Sequence, residues 1–246
     1  MTTTVRRALV TGATSGIGRA IAEALAAQGT QVLITGRDSR RGEEVVAAIR
    51  AAHGKADFVV ADLSSPQSVI NLAAQAEKIM GGVDILINNA GIYTFGPTAE
   101  VTEAGFNAMY DTNVKAPFLL TARLAPGMVK RGWGRIVNIT TMVAYIGMNG
   151  AALYGSSKAA LQLLTQAWAA EYAPGGVTVN ALAPGPVRTP GTAGMGEALD
   201  EIGKTVPAGR VGTPAEIAAA AVFLASESAG YVNGATLAVD GGRVAV

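Results

Sequence analysis

At 246 residues the chain has room for one large α/β domain or two small ones. Its formal net charge is +1 with the charges interspersed, so nothing asks for nucleic acid or an anionic membrane as a partner. There is no cysteine and His53 is the single histidine, which excludes disulfides, thiolate catalysis, histidine triads, and cysteine or multi-histidine metal sites.

The first residues, MTTTVRRALVTG, lead straight into a strand-like run with no secretory pattern. The longest helical apolar run, Ile217 to Ala225, is far shorter than the ~20 residues a membrane span needs. A soluble cytoplasmic protein is therefore expected. Short runs rich in Val and Ile recur at Ala8–Val10, Gln31–Ile34, Asp57–Ala61, Ile85–Ile87, Ile136–Ile139, Val177–Ala181 and Thr236–Val239. They are apolar on successive residues, as strands buried on both faces are. Helical patterns alternate with them at Arg19–Gln28, Gly42–Ala52, Ser68–Met80, Ala104–Met128, Leu153–Tyr172 and Glu216–Ala225. This alternation predicts βαβ units on a parallel sheet, and no linker or repeat divides residues 1–246. The expected fold is one doubly wound α/β domain.

In such sheets ligands bind beyond the carboxyl ends of the strands. After the first strand comes TGATSGIG, with Gly12, Gly16 and Gly18 opening a helix. Glycines there let backbone approach a pyrophosphate, and the helix N-terminus offers free N–H groups. A glycine turn alone is often only a turn. Further on, Tyr154 and Lys158 stand four apart in ALYGSSKAALQLL, on one face of a helix, where a phenol and an ammonium point into one space. The plainer reading of that pair is an amphipathic helix with a solvated lysine.

NNAG at residues 88–91, ITT at 139–141, APG at 183–185 and VDGG at 239–242 follow later strands. Together with TGATSGIG and YGSSK, in this order and spacing, they resemble the short-chain dehydrogenase/reductase family. Within that family the chain resembles bacterial 3-oxoacyl-[acyl-carrier-protein] reductases. The resemblance implies a Rossmann-type three-layer α/β/α sandwich with a seven-stranded parallel sheet. It also implies a nicotinamide dinucleotide and hydride transfer between a carbonyl and an alcohol. Tyr154 would be the acid in reduction and the base in oxidation. Its unperturbed pKa of ~10 is too high for efficient exchange near neutrality, and a neighbouring ammonium can lower such a value by about one to three units. Lys158 is expected to supply that field and, by family likeness, to bond the nicotinamide ribose.

The family's serine, thirteen residues before the tyrosine, is replaced here by Thr141. Threonine keeps the hydroxyl but adds a methyl and a stiffer χ1; the alternative is that Thr141 is only a strand former. Its neighbour Thr140 should point to the other side of the strand. Asn113 matches the family asparagine that supports a water relay toward the lysine. An asparagine inside a helix needs a partner for its amide.

By the same likeness the cofactor lies against Gly12, Thr14, Ser15, Gly16, Ile17 and Gly18, with Asp62 and Leu63 beside the adenine. Asn89, Ala90 and Gly91 sit under the adenosine ribose, Pro184, Gly185 and Val187 lie near the nicotinamide, and Thr189 bonds the carboxamide. Asp62 could instead simply cap a turn. At the tip of the second strand, ITGRDSRR, the position that carries a carboxylate in NAD-preferring relatives is Gly36, followed by Arg37. Arginine matches a ribose 2′-phosphate in charge and shape, which favours NADP over NAD. Asp38 is the competing signal, with helix N-capping as its plainer role, and Ser15 stands where NADP-preferring relatives often carry a basic residue.

The segment 186–210 is rich in Gly and small residues, as a mobile lid would be. Met142, Tyr145, Met148 and Met195 would give a mainly apolar substrate pocket, with core packing as the equal alternative. The stretch EYAPGGVTVN lacks the arginine with which carrier-docking relatives are equipped, although Lys130 and Arg131 are nearby. Family likeness and two apolar surfaces, the outer side of the Leu153–Tyr172 helix and the C-terminal region, point to a homotetramer. A non-catalytic dinucleotide sensor and an assembly scaffold are the alternatives from other classes. An intact Tyr154/Lys158 pair argues against the sensor, which has no need of the phenol.

Overall fold

Seven apolar runs pair as parallel strands because their Val, Ile and Leu side chains can be buried on both faces of a sheet. In the computed structural model, which describes residues 5–246, they are β1 (Arg7–Thr11), β2 (Gln31–Gly36), β3 (Lys55–Val60), β4 (Ile85–Asn88), β5 (Gly134–Ile139), β6 (Val177–Pro184) and β7 (Thr236–Val239). Their order across the sheet is β3-β2-β1-β4-β5-β6-β7, every pair parallel. The central strands are buried along their whole length, whereas the edge strands β3 and β7 leave side chains in water. The expected sheet is therefore present, and several strands run further than the apolar runs suggest. β2 gains Thr35 and Gly36, and β6 continues through Pro184.

Helices cover both faces. One core joins Ile21 and Leu25 of α1 (Gly16–Ala27), Val45 and Ile49 of α2 (Ser39–Ala51), and Ile217 and Ala221 of α8 (Pro214–Leu224) to the sheet. The other joins Leu72 of α3 (Pro66–Met80), Leu120 and Leu124 of α5 (Ala116–Lys130), and Leu161 and Trp168 of α6 (Ala152–Tyr172) to the opposite face. The caps follow their sequence signals. Ser65 accepts from Ser68 N ahead of Pro66, and Thr213 with Glu216 forms a capping box ahead of α8. No helix among the described residues is long and apolar enough to cross a membrane.

The single helix expected over 104–128 is instead two. α4 (Glu103–Tyr110) and α5 are joined by one π turn, Asp111–Lys115, and Asn113 lies in it, fully buried. The segment after β6 is also more ordered than its composition suggests. Residues Pro190–Met195 form a 3-10 turn with a Thr189/Thr192 capping box. α7 (Glu197–Lys204) follows, with Leu199 buried beneath it. Leu161, Leu164 and Trp168 pack into the core, so the large apolar side chains that α5 and α6 leave outside are Phe118, Val129 and Leu163.

Candidate active site

The crevice opens where the strand order reverses, between β1 and β4, at their carboxyl ends. Thr11 and Asn89 lock this point. The Thr11 hydroxyl accepts from the backbone N–H groups of Asn89 and Ala90, each at 3.0 Å, and Asn89 Nδ2 donates to Thr11 O (2.8 Å) and Gly12 O (3.1 Å). Gly12 is left-handed (φ 62°), and a Cβ on it would stand 2.8 Å from Ala90 Cα. A Cβ on Gly18 would meet Asn89 Nδ2 at 2.4 Å and Gly12 O at 2.5 Å. The loop thus presents bare backbone, and α1 begins at Gly16 with its capping residue Ser15 making no side-chain bond. A side-chain-free cradle opening on a helix N-terminus fits a pyrophosphate.

Two connected stretches of cleft extend from this cradle. One, of about 440 Å³, is lined by Gly12, Thr14, Ser15, Gly36, Arg37, Asp62, Leu63, Asn89, Ala90 and Gly91, the residues expected around an adenosine. The basic cluster at the β2 tip resolves into separate roles. Asp38 caps α2 by accepting from Arg41 N, and it pairs with Arg41 Nε at 2.7 Å. Arg40 pairs with Glu44. Arg37, exposed on the cleft wall, makes no ion pair or hydrogen bond among the described residues. A Cβ on Gly36 would lie 2.6 Å from Thr14 Cγ2, so a carboxylate-bearing side chain at that position requires Thr14 to move. Asp62 accepts from Ser64 N and Ser64 Oγ, which holds its carboxyl below the usual range. It therefore caps its own turn and also lines the cleft.

The second stretch, about 260 Å³, runs from Ser15, Gly16, Ile17 and Gly18 past Asn89 and Gly91 to Thr141, Tyr154, Lys158, Pro184, Gly185, Val187 and Thr189. The helix α6 carries Tyr154 and Lys158 on one face, and the end of β5 delivers Thr141. Lys158 is buried and donates to Ile139 O at 2.9 Å. Asn113 closes the far side. Its Nδ2 donates to Ile92 O (2.9 Å) and Ser157 Oγ (3.0 Å), and its Oδ1 accepts from Ile92 N (2.9 Å). A Cβ on Gly91 would sit 3.1 Å from Lys158 Nζ and 3.2 Å from Asn113 Oδ1, which places these two groups side by side.

The electrostatics differ from the expectation for Tyr154. Burial pushes the phenol up, with the adjoining Thr141 hydroxyl pulling it down and Tyr93 adding to the rise. Burial also brings Lys158 down to about 8. Lys158 is buried and Tyr154 half-buried, so desolvation acts against the charged form of each, and the lysine turns to a carbonyl. At neutral pH the phenol holds its proton.

The two threonines separate as the strand alternation requires. Thr140 Oγ1 donates to Leu182 O at 3.1 Å, which commits that hydroxyl to the neighbouring strand. Thr141 Oγ1 only accepts a 3.3 Å contact from Val143 N and keeps its proton to donate. Thr189 caps the 190–195 turn with its hydroxyl, so the group expected at a carboxamide is shared with local structure.

Met142, Tyr145, Met148 and Met195 do not line this cleft. Residues 143–148 fold over the opposite side of α6, where Tyr145 and Met148 border an open groove with Gly155, Ser156 and Ala159. The wall beside Tyr154 is built by Ile92 and Tyr93 instead, with Phe95 outside the cleft; the Tyr93 and Phe95 rings lie 6.1 Å and 5.8 Å from that of Tyr154. Those residues sit in a loop with no hydrophobic period, and Ser157 looks like any helix serine, so neither carried a signal in sequence.

A glycine cradle at the switch point, with a tyrosine and a lysine one turn apart on the helix after β5, defines a dinucleotide-dependent oxidoreductase. The family model described as Enoyl-(Acyl carrier protein) reductase matches residues 12–243. Over 236 residues the chain is 39% identical to the 3-oxoacyl-[acyl-carrier-protein] reductase of Aquifex aeolicus, covering 95% of each. A solved short-chain dehydrogenase/reductase family protein is 50% identical with a TM-score of 0.91, covering 98% of both chains. A gluconate 5-dehydrogenase from Burkholderia cenocepacia, solved with NADP and tartrate, is 34% identical with a TM-score of 0.92 over 98% of this chain and 96% of that one. The chain belongs to the short-chain dehydrogenase/reductase family.

Proposed function

We propose that this protein is an NADP-dependent carbonyl reductase or alcohol dehydrogenase acting on a neutral, mainly apolar small molecule, with Tyr154 as its acid and base. The observation that carries this reading is the convergence of Tyr154, Lys158 and Thr141 on one cleft, backed by the buried Asn113 and continuous with a glycine cradle whose far wall bears an uncommitted Arg37.

The nicotinamide, when bound, gives or takes the hydride. The chain's part is to hold the oxygen of the carbonyl and to move one proton. Tyr154 gives its phenolic proton to that oxygen in reduction and takes it back in oxidation. The Thr141 hydroxyl steadies the same oxygen. Lys158, with a pKa of about 8, carries its charge at neutral pH and offsets the phenolate left behind. Asn113 fixes the loop at Ile92 and, through Ser157, the first turns of α6, so the proton-carrying groups keep their spacing.

Lys158 is the one charged side chain among the described residues lining the reaction cleft, and its ammonium is already bonded to Ile139 O. The cleft therefore has no free cation for a substrate carboxylate, which favours a neutral ketone over a sugar acid. A carrier-bound 3-oxoacyl thioester is the second reading, favoured by the identity to the Aquifex aeolicus enzyme. Of the two basic residues expected to help such docking, Arg131 is held by Asp84 Oδ1 and Val83 O, leaving Lys130. Assembly as a homotetramer, using the faces that expose Phe118, Leu163 and Tyr231, belongs to the same reading.

NADPH oxidation followed across classes of ketone, with NADH in parallel, tests the proposal; no turnover of any carbonyl would overturn it. In that assay Arg37→Ala should weaken NADPH far more than NADH, because only the former has a 2′-phosphate. Losing one charge-assisted contact costs on the order of 2–3 kcal/mol. Equal losses for both nucleotides would mean that Arg37 does not read the phosphate.

A further inference from the structure

One hydrogen bond spans the reaction cleft and has no part in the chemistry above. Tyr93, in the loop after β4, donates its hydroxyl to the carbonyl oxygen of Gly191 at 2.6 Å, joining residues 98 apart in sequence. Gly191 belongs to the 3-10 turn Pro190–Met195, and both residues line the cleft with Tyr154, Lys158 and Thr189. The Tyr93 ring stands edge-on to Tyr154 and tilted against Phe95, at centroid distances of 6.1 Å and 6.0 Å. The contact thus ties the segment after β6 to the aromatic wall of the reaction centre.

We propose that Tyr93 is a positioning residue that latches the Pro190–Met195 turn over the cleft, so that its hydroxyl sets how readily the turn opens to admit and release what binds beneath. Three features fit a latch and not a fixed brace. Tyr93 is 45% exposed, so its hydroxyl can exchange the Gly191 carbonyl for water at little cost. The turn's own bonds are local: Thr189 and Thr192 cap each other, and Thr192 Oγ1 reaches no further than Val187 O and Thr189 O. The segment is anchored just before it by the Val187–Gly212 bridge and just after it by buried Leu199, which leaves 190–195 free to swing between two fixed points.

Gly191 supplies an independent handle. Its φ is not positive, so alanine suits its backbone, yet a Cβ there would lie 3.0 Å from the Tyr93 hydroxyl and crowd it off the carbonyl. Tyr93→Phe keeps the ring and deletes the donor. Gly191→Ala keeps the donor and displaces it.

The test is limited trypsin digestion of the free protein, which reports the population of an open segment when opening is fast. Arg188 and Lys204 flank the turn. Cleavage at Arg188, which lies between the two fixed points, should quicken about three- to tenfold in Tyr93→Phe, as expected for one neutral hydrogen bond, while Lys204, beyond Leu199, serves as the control. Gly191→Ala should do the same, the double variant should gain nothing more, and cleavage elsewhere and the melting temperature should not change. NADPH should leave each variant faster by a similar factor. Unchanged cleavage at Arg188 in both single variants would overturn the latch, as would additive effects in the double variant. The digestion does not depend on the reaction or cofactor proposed above, so failure of that reading and failure of the latch are told apart.

Discussion

Tyr154→Phe should bind dinucleotide as the unaltered protein does and lose nearly all turnover. The ring keeps its place because its contacts are those of a ring: Tyr93 and Phe95 pack on it edge-on, and neither contact uses the hydroxyl. Phenylalanine also leaves the glycine cradle and Arg37 untouched. What disappears is the proton. A positioned general acid contributes about 10²–10⁴-fold, and the other phenol lining the cleft, Tyr93, gives its hydroxyl proton to Gly191 O. Lys158, at about 8, is the nearest competitor, but its ammonium is turned to the Ile139 carbonyl. Single-turnover kinetics beside a dinucleotide titration checks this: unchanged binding with abolished transfer is expected. Substantial residual turnover would remove Tyr154 from the acid/base role.

Thr141→Val should be the second most damaging change. It keeps the branched shape and deletes the donor. Losing one such preorganised hydrogen bond typically lowers turnover by ~10²-fold or more. Thr141→Ser keeps the donor, removes a methyl and frees the rotamer, so it should stay active and accept bulkier ketones. Thr140→Val is the internal control, because its hydroxyl is bonded to Leu182 O and it should affect stability more than rate. Comparing turnover numbers for the three variants with the same ketone decides the matter. A crippled Thr140→Val beside a mild Thr141→Val would show that the wrong hydroxyl had been chosen.

Much of this site could be read before any coordinates, because its parts are tied to strand ends. A strand buried on both faces announces itself by consecutive Val and Ile, and whatever follows it lies at the crevice; that logic found Gly12, Asn89, Thr141 and Pro184. That Tyr154 and Lys158 share one helix face was legible from spacing, but their role came only with the likeness to the family; Asp38 was legible as a cap from its place before α2. Contacts between distant segments were not legible. Ile92 and Tyr93 became the wall of the cleft while Tyr145 and Met148 went to the other side of α6, and no local pattern separates these two aromatic-and-apolar loops. The direction of the Tyr154 shift depends on how much water reaches it, which spacing does not encode. Apolar period was also ambiguous on α6. Leu161, Leu164 and Trp168 recur as an interface stripe would, yet they face the core.

The π turn at Asp111–Lys115 has a meaning for anyone who would remake this protein. One surplus residue in a helix turns everything beyond it by about 100° relative to a regular path. Here that offset lets Asn113 grip Ile92 while Ala116, Leu120 and Leu124 still meet the sheet. A procedure that rewards regular backbone would trim the surplus and join α4 to α5 as one rod. Such a rod can satisfy the amide or the core, not both. Asn113 therefore sits on a local irregularity that selection for stability alone would erase, and thermostable versions of this chain should be sought among substitutions that leave residues 111–115 at their present length.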